Sequence, residues 1–124
     1  MAKKKILVID DEVAITKLLK LVLERSGKYD VQCENEGTQA VSVIKAFGPD
    51  LILLDVNLPD ISGGEIAGAL RDKPAFSHIP IIFLTGMISA EEAQAGQTIG
   101  GRAAVSKPID MARLVDCIEK YLPT

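Results

Sequence analysis

The sequence of 124 residues predicts an α/β fold, in which five helices cover both faces of a five-stranded parallel sheet. Short runs of Ile, Leu and Val alternate along the chain with segments whose apolar residues recur at helical spacing. The apolar runs are mostly continuous, which is typical of strands covered on both faces. The connections are short, as in units that join parallel strands through a helix.

Five strands are predicted. Four come from apolar runs at residues 6–9, 51–54, 79–84 and 103–105, and the second strand of the chain is an alternating segment at residues 29–35. The alternating strand and the short last strand suit the edges of the sheet, whereas the other three suit its middle. Because crossovers between parallel strands are right-handed, this gives the order 2-1-3-4-5 of a flavodoxin-like, doubly wound fold.

Helices are predicted between and after the strands. Apolar stripes at the spacing i, i+3, i+4, i+7 mark the first, second and fifth helices, and they begin at Ile15, Ala40 and Met111. Gly27 and Gly48 are predicted to end the first two helices. Asp110 is predicted to cap the last one.

The third and fourth helices are predicted from their starts. Ser62 with Glu65, and Ser89 with Glu92, have the spacing of a capping box. The fourth helix, at about residues 90–97, has few large apolar side chains, which predicts low local stability.

Length and composition indicate one globular domain, residues 1–124, without linkers or repeats. The net charge of −3 argues against direct nucleic-acid binding through clustered basic residues. We see neither a run as long as a membrane span nor a signal peptide. Cys33 and Cys117 fit neither a metal motif nor a disulfide framework, so we expect small, reduced core residues. A cytoplasmic protein without a membrane partner is therefore expected.

Polar side chains follow the central strands where these are predicted to end. They are Asp10, Asp11 and Glu12 after the first strand, Asp55 after the third, Thr85 and Gly86 after the fourth, and Lys107 after the fifth. Because the carboxyl ends of such strands meet in one crevice, we expect these groups to lie together. Clustered carboxylates require neutralisation, and an oxygen-rich site suits Mg²⁺. Lys107 would pair with one carboxylate or with an arriving anion.

This combination of groups suits phosphoryl transfer. Asp55 ends a strand, so its carboxylate can face outward as a nucleophile. Mg²⁺ and Lys107 would screen the charge of an incoming phosphoryl group. Thr85 would donate a hydrogen bond to a phosphoryl oxygen, and Gly86 leaves its N–H open to the same anion.

The chain resembles the receiver domains of response regulators, including the single-domain chemotaxis type. Four motifs carry the resemblance over essentially the whole chain: Ile9-Asp-Asp-Glu12, Asp55-Val-Asn-Leu-Pro59 with Gly63 and Gly64, Leu84-Thr-Gly86, and Ser106-Lys-Pro108. Any one of them is weak, but four in order at the right strand ends are highly specific.

The resemblance implies the roles of the site residues. Asp55 would be the phosphoacceptor, and Mg²⁺ would be bound by Asp10, Asp11, Asp55 and the backbone carbonyl of Asn57. Thr85, Gly86 and Lys107 would bind the phosphoryl group, and Lys107 would act with Asp55 in catalysis.

It also implies a function in two-component signalling. A histidine kinase or a histidine phosphotransfer protein would supply the phosphoryl group, and an unassigned protein would be the downstream target. The domain would be a switch rather than an enzyme, catalysing at most its own phosphorylation and dephosphorylation. Both a monomer and a phosphorylation-dependent dimer fit this role.

One residue departs from the pattern of the family. Many receivers carry an aromatic residue three positions before the lysine, where this chain has Ala104. In those receivers the threonine turns toward the phosphoryl group, and the aromatic ring then fills the space that the threonine has left. Alanine cannot fill that space. We therefore expect the fourth helix to move with Thr85 without that aromatic residue.

Three alternatives stay open. A small-molecule phosphatase of the haloacid-dehalogenase type also forms an aspartyl-phosphate, but it has an acid two residues on, where this chain has Asn57. A flavin carrier shares the strand order, but the acids after the first strand would repel its phosphate, and the aromatic content is only 4%. A degenerate receiver would bind partners without being phosphorylated, although every reactive residue is present.

Overall fold

The computed structural model describes residues 3–86, 98–99 and 102–122. The strands are β1 (Lys4–Ile9), β2 (Tyr29–Glu34), β3 (Leu51–Asp55), β4 (Ile81–Thr85), β5 (Thr98–Ile99) and β6 (Arg102–Ser106). The helices are α1 (Val13–Arg25), α2 (Ala40–Phe47), α3 (Gly63–Arg71) and α4 (Met111–Tyr121), and a 3₁₀ turn (Gly37–Gln39) precedes α2. The fourth predicted helix and its Ser89 cap lie outside the described residues, so α4 corresponds to the fifth.

The sheet confirms the predicted topology. Its order is β2-β1-β3-β4-β6-β5, and the first five strands of that series are parallel. Since β6 is the fifth predicted strand, the predicted order 2-1-3-4-5 is confirmed. The added strand β5 pairs antiparallel with β6, and its two residues are too few for a periodicity to reveal. Strand β4 begins at Ile81 rather than at residue 79, because Pro80 lacks an N–H for the sheet.

Two apolar layers hold the helices on the sheet. On one face, the helices contribute Leu19 and Leu23 from α1 and Leu114 and Ile118 from α4. On the other face, they contribute Ala40 and Ile44 from α2 and Ile66 and Leu70 from α3. Seven of these eight positions belong to the predicted helical stripes or to α3. Leu23 lies one position beyond the stripe that begins at Ile15, and Leu18 of that stripe is exposed. Each large side chain stabilises the fold by about 1.5–3 kcal/mol when buried.

Local signals set the ends of the helices as the sequence predicts. Gly48 follows α2 with a φ of +65°, and Gly27 follows α1 with a φ of +78°. The Ser62 hydroxyl accepts a hydrogen bond from the N–H of Glu65, and the Asp110 carboxylate accepts two from the first turn of α4. These caps satisfy N–H groups that the helix leaves without a partner.

The two cysteines were expected to be small, reduced core residues, and the structure places them at the margin of the core. Cys33 and Cys117 are free thiols and are only half-buried. The Cys33 thiol donates a hydrogen bond to the carbonyl of Thr16, while Cys117 packs against one of the two apolar layers. Separately, no helix among the described residues is long and apolar enough to cross a membrane.

Candidate phosphoacceptor site

The predicted polar residues meet at the carboxyl edge of the sheet. Asp55 is aligned with Leu84 on the neighbouring strand, and Thr85 is aligned with Ser106. The N–H of Lys107 donates to the carbonyl of Thr85 at 2.8 Å, and the peptide bond from Lys107 to Pro108 is cis. Parallel register therefore brings together the ends of strands that are far apart in the chain.

Three carboxylates form the floor of the site. One oxygen from each of Asp10, Asp11 and Asp55 lies within 4.8 Å of the others. Asp10 and Asp55 are buried, with exposed fractions of 0% and 4%, whereas Asp11 is exposed. The donors are all oxygen, which is the set that Mg²⁺ prefers. The residues present thus fit a hard divalent cation.

Lys107 provides the positive charge of the site. Its Nζ lies 2.8 Å from Asp10 Oδ2, 3.5 Å from Asp55 Oδ2 and 3.5 Å from Glu12 Oε1. Pairing with a carboxylate is one of the two roles expected for it. One ammonium does not balance these acids together with Asp11, so the site keeps an excess of negative charge that attracts cations.

The surroundings shift the pKa values of both reactive groups. Burial raises the pKa of Asp55, and the charge of Asp10 adds to this, although the N–H of Asn57 and the ammonium of Lys107 oppose it. Burial acts to lower the pKa of Lys107, but its hydrogen bond to Asp10 and the charges of Asp55 and Glu12 raise it overall. Lys107 therefore stays protonated, and Asp55 lacks full compensation of its charge.

The start of α3 presses directly on the backbone of Asp55. A Cβ atom on Gly63 would overlap the carbonyl oxygen of Asp55, and the N–H of Gly63 donates to Val56 O at 3.0 Å. The Asp55 carboxylate accepts the N–H of Asn57 at 3.1 Å. The sequence identifies Gly63 only as part of a motif. The structure explains why a glycine is needed at this position, because two backbones approach each other too closely for a side chain.

Asn35 supports Asp10 and is a site residue that the sequence analysis missed. Its side-chain amide donates to the carbonyl oxygen of Asp10 at 2.8 Å and to the hydroxyl of Thr16 at 3.1 Å. The available signal was its position at the end of the predicted strand of residues 29–35, which neighbours β1. That signal carries no chemistry by itself, because an Asn at a strand end is usually a turn residue.

The other predicted residues lie at the end of β4, in the loop after β3 and in β6. Thr85 is buried, with an exposed fraction of 1%, while Gly86 and Asn57 are exposed. A Cβ on Gly86 would meet no described heavy atom within 4 Å. Ala104 is buried and aligned with Phe83 on β4, so both residues face the same apolar layer.

Comparison with known proteins places these features in a family. Residues 6–119 match the family model of the response regulator receiver domain. The polar-differentiation response regulator DivK of Brucella anthropi is 32% identical over 119 residues, which are 96% of each chain.

Solved structures agree over the whole fold. A putative response regulator from Chloroflexus aurantiacus has a TM-score of 0.84 at 28% identity, covering 99% of this chain and 100% of that one. The chemotaxis protein CheY4 of Vibrio cholerae has a TM-score of 0.82 at 28% identity, covering 97% and 99%.

Receiver domains are phosphoacceptor switches of two-component signalling rather than metabolic enzymes. They take phosphoryl groups from histidine kinases or phosphotransfer proteins, and they bind Mg²⁺ at an acidic pocket. With its acidic cluster, its strand order and a family match over nearly its whole length, this chain belongs to the response regulator receiver domain family.

Proposed function

We propose that this domain, residues 1–124, is phosphorylated on Asp55 in a Mg²⁺-dependent reaction. The donor would be a phosphohistidine on a histidine kinase or a histidine phosphotransfer protein. One observation carries the proposal: the buried Asp55 carboxylate lies 3.5 Å from Lys107 Nζ and within 4.8 Å of oxygens from Asp10 and Asp11. An ordinary turn aspartate would lie in water, away from other acids.

In the proposed step, a carboxylate oxygen of Asp55 forms a bond to phosphorus as the P–N bond of phosphohistidine breaks. The electron pair of the P–N bond stays on the imidazole nitrogen, which leaves and takes up a proton. Lys107 would move part of its contact from Asp10 to the phosphoryl oxygens as their charge arrives. Self-dephosphorylation is the other reaction that we propose. In it, the oxygen of a water molecule forms a bond to phosphorus as the bond between phosphorus and the Asp55 oxygen breaks, which releases inorganic phosphate and restores the carboxylate.

Asp10, Asp11, Asp55 and the backbone carbonyl of Asn57 would hold Mg²⁺. The two buried acids would fix the position of the ion, and the exposed Asp11 would complete a site that stays open to water. The hydrogen bond from the N–H of Asn57 to Asp55 keeps that loop beside the carboxylate. When bound, the ion would neutralise the charge that develops on the phosphoryl oxygens.

Thr85, Gly86 and Lys107 would bind the phosphoryl group once it is in place. Support comes from their shared position at the ends of adjacent strands and from the exposure of Gly86, which has no side chain to cover its N–H. A phosphoryl group adds about 1.5–2 negative charges at this edge. Such a charge shifts a conformational equilibrium only through groups that bind it differently in the two states.

The signal would reach a partner-binding surface without an aromatic residue at position 104. Phe83 is two residues before Thr85 and therefore shares its side of the sheet. Phe83 is 2% exposed and is aligned with Ala104 on the neighbouring strand. The aromatic side chain at this level of the sheet therefore comes from β4 and not from β6. The output would be contact with a downstream protein, through a monomer or through a dimer formed on phosphorylation.

The test is the intact mass of the chain after incubation with Mg²⁺ and acetyl phosphate. We expect one phosphoryl adduct on the wild type, none on Asp55→Asn, and a normal adduct on Asp72→Asn, which changes an exposed aspartate of the α3–β4 loop. An unlabelled wild type with intact fold and Mg²⁺ binding would instead favour the degenerate receiver. Equal labelling of Asp55→Asn would place the acceptor elsewhere.

A further inference from the structure

Asp60 joins two loops that are far apart in the sequence. It lies in the loop of residues 56–62 between β3 and α3, yet its carboxylate accepts hydrogen bonds from the loop that follows β2. Oδ1 accepts the N–H of Gly37 at 3.3 Å, and Oδ2 accepts the N–H of Thr38 at 2.9 Å. Oδ1 also accepts the N–H of Ile61 at 3.1 Å, which orients the carboxylate.

The two loops are in tight contact at this point. A Cβ atom on Gly37 would come within 2.5 Å of Ile61 Cγ2, 2.9 Å of Asp60 Oδ1 and 3.0 Å of Leu58 Cδ1. Leu58 is 8% exposed and belongs to the core layer beneath. Gly37 therefore lets the loops meet, and Asp60 holds them together.

The loop after β2 is also attached to the other acidic strand end. Asn35 donates to the carbonyl oxygen of Asp10 at 2.8 Å, only two residues before Gly37. The short segment of residues 35–38 thus contacts both loops. Asn35 donates to the loop after β1, and the N–H groups of residues 37 and 38 donate to Asp60 in the loop after β3. Those two loops carry Asp10, Asp11 and Asn57, and Asp55, the fourth proposed ligand of Mg²⁺, is the last residue of β3.

We infer that Asp60 is a positioning residue of the magnesium site, which it serves by holding the loop of Asn57 at a fixed distance from Asp10 and Asp11. The inference rests on the proposed function. Asp60 lies three positions after Asn57 and would not touch the ion. Removing it would leave every ligand present but allow the loop after β3 to move away from the loop after β1.

The charge state of Asp60 suits this role. The N–H of Thr38 holds the pKa of Asp60 below its usual value, and the N–H groups of Asp60 itself and of Gly37 act in the same direction. The carboxylate therefore accepts its hydrogen bonds as an anion at neutral pH, where such bonds are strongest.

Calorimetric titration of Mg²⁺ into the purified chain, without a phosphoryl donor, tests the inference. For Asp60→Ala we expect the Kd to rise about tenfold, the lower end of the effect of removing a group behind a metal ligand. Asp60→Asn keeps one side-chain oxygen to accept the N–H of Thr38, so it should recover most of the affinity.

Asp50→Ala is the matched control. Asp50 also accepts a backbone hydrogen bond, from the N–H of Lys5 at 2.8 Å, but it lies at the opposite edge of the sheet. This variant loses the same charge and one similar bond, so its Kd should stay within about twofold of the wild type. Thermal unfolding confirms that each variant is folded.

The outcomes separate the inference from the proposed function. Three results would overturn the positioning role, even if the wild type is labelled on Asp55. They are wild-type Mg²⁺ affinity in Asp60→Ala, equal losses of affinity in Asp60→Ala and Asp60→Asn, and a loss in Asp50→Ala equal to that in Asp60→Ala. A wild type that neither binds Mg²⁺ nor accepts a phosphoryl group would overturn the proposed function and this inference with it.

Discussion

Nζ of Lys107 lies 2.8 Å from Oδ2 of Asp10, joining residues 97 positions apart in the chain. The Asp10 side chain is fully buried, and that of Lys107 is 18% exposed. A buried carboxylate without a partner is strongly destabilising, so this ion pair holds the acidic end of β1 in the folded state. The ammonium group of Lys107 would therefore compete with a divalent cation for the carboxylates of Asp10 and Asp55.

Lys107→Ala should therefore bind Mg²⁺ at least as tightly as the wild type, because a competing positive charge is removed. Without Mg²⁺, the variant should lose about 3 kcal/mol of unfolding free energy, because the buried Asp10 carboxylate loses its ion-pair partner and keeps the hydrogen bond from the N–H of Glu12. Urea unfolding with and without Mg²⁺ measures both effects, and Mg²⁺ should stabilise the variant more than the wild type. Lys120→Ala, which removes an exposed cation of α4, is the control. Weaker Mg²⁺ binding in Lys107→Ala would contradict this account.

Asp11→Ala should weaken Mg²⁺ binding without unfolding the domain. Asp11 is the exposed member of the three carboxylates, so its removal deletes a proposed ligand but disturbs little packing. The Kd should rise by more than about tenfold, since even groups behind a ligand have an effect of that size. Calorimetry measures it, with Asp30→Ala, another exposed aspartate, as the control. Unchanged affinity would show that Asp11 is not a ligand.

Gly63→Ala should destabilise the domain by about 2 kcal/mol, because the new methyl group would overlap the carbonyl oxygen of Asp55. Gly64→Ala is an internal control, since its Cβ would meet only Ser62 Oγ, at 3.9 Å. We expect this second variant to be as stable as the wild type or slightly more so, because alanine favours a helix. Urea unfolding of both variants decides the matter, and equal stabilities would be inconsistent with the close approach.

Glu24→Gln should reduce the loss of stability in acid. The hydrogen bond from the N–H of Val31 lowers the pKa of Glu24 from its ordinary value of 4.5, burial opposes this, and Lys20 adds to the lowering. A lowered pKa means that the stabilisation is fully present above pH 4.5 and is lost as the pH falls through the folded value. Unfolding free energy measured from pH 7 to pH 3 should fall less steeply for Glu24→Gln than for the wild type. Parallel curves, or the same change in the exposed Glu36→Gln, would refute the assignment.

Tyr29→Phe should change the unfolding free energy by less than about 1 kcal/mol. The hydroxyl of Tyr29 is buried and makes no hydrogen bond to any described residue, so its removal breaks none of these contacts. The ring is 3% exposed and packs in the core, so Tyr29→Ala should cost about 3–5 kcal/mol. Urea unfolding compares the two, and a large loss in Tyr29→Phe would reveal a partner for the hydroxyl.

Much of the site was predictable because its residues stand at strand ends. Asp10, Asp55 and Thr85 each follow a continuous apolar run, and parallel strands must end on the same edge of a sheet. Asn35 and Asp60 were not predictable, because polar residues in loops are common and their partners lie 25 and 22 positions away. No local pattern distinguishes a loop aspartate that holds a second loop from one that faces water.

The sequence by itself determined the four helices of the described residues, their caps and the five parallel strands, because these depend on side-chain periodicity and on hydrogen bonds between near neighbours. It also determined which polar groups would meet, because strand order follows from apolar content and the handedness of crossovers. Only the tertiary structure decided that Lys107 pairs most closely with Asp10, that Gly63 abuts Asp55, and that Asp60 holds the loop after β2. Those contacts depend on differences of a few tenths of an ångström in the distances between segments that are far apart in the chain, and packing and register set these distances together.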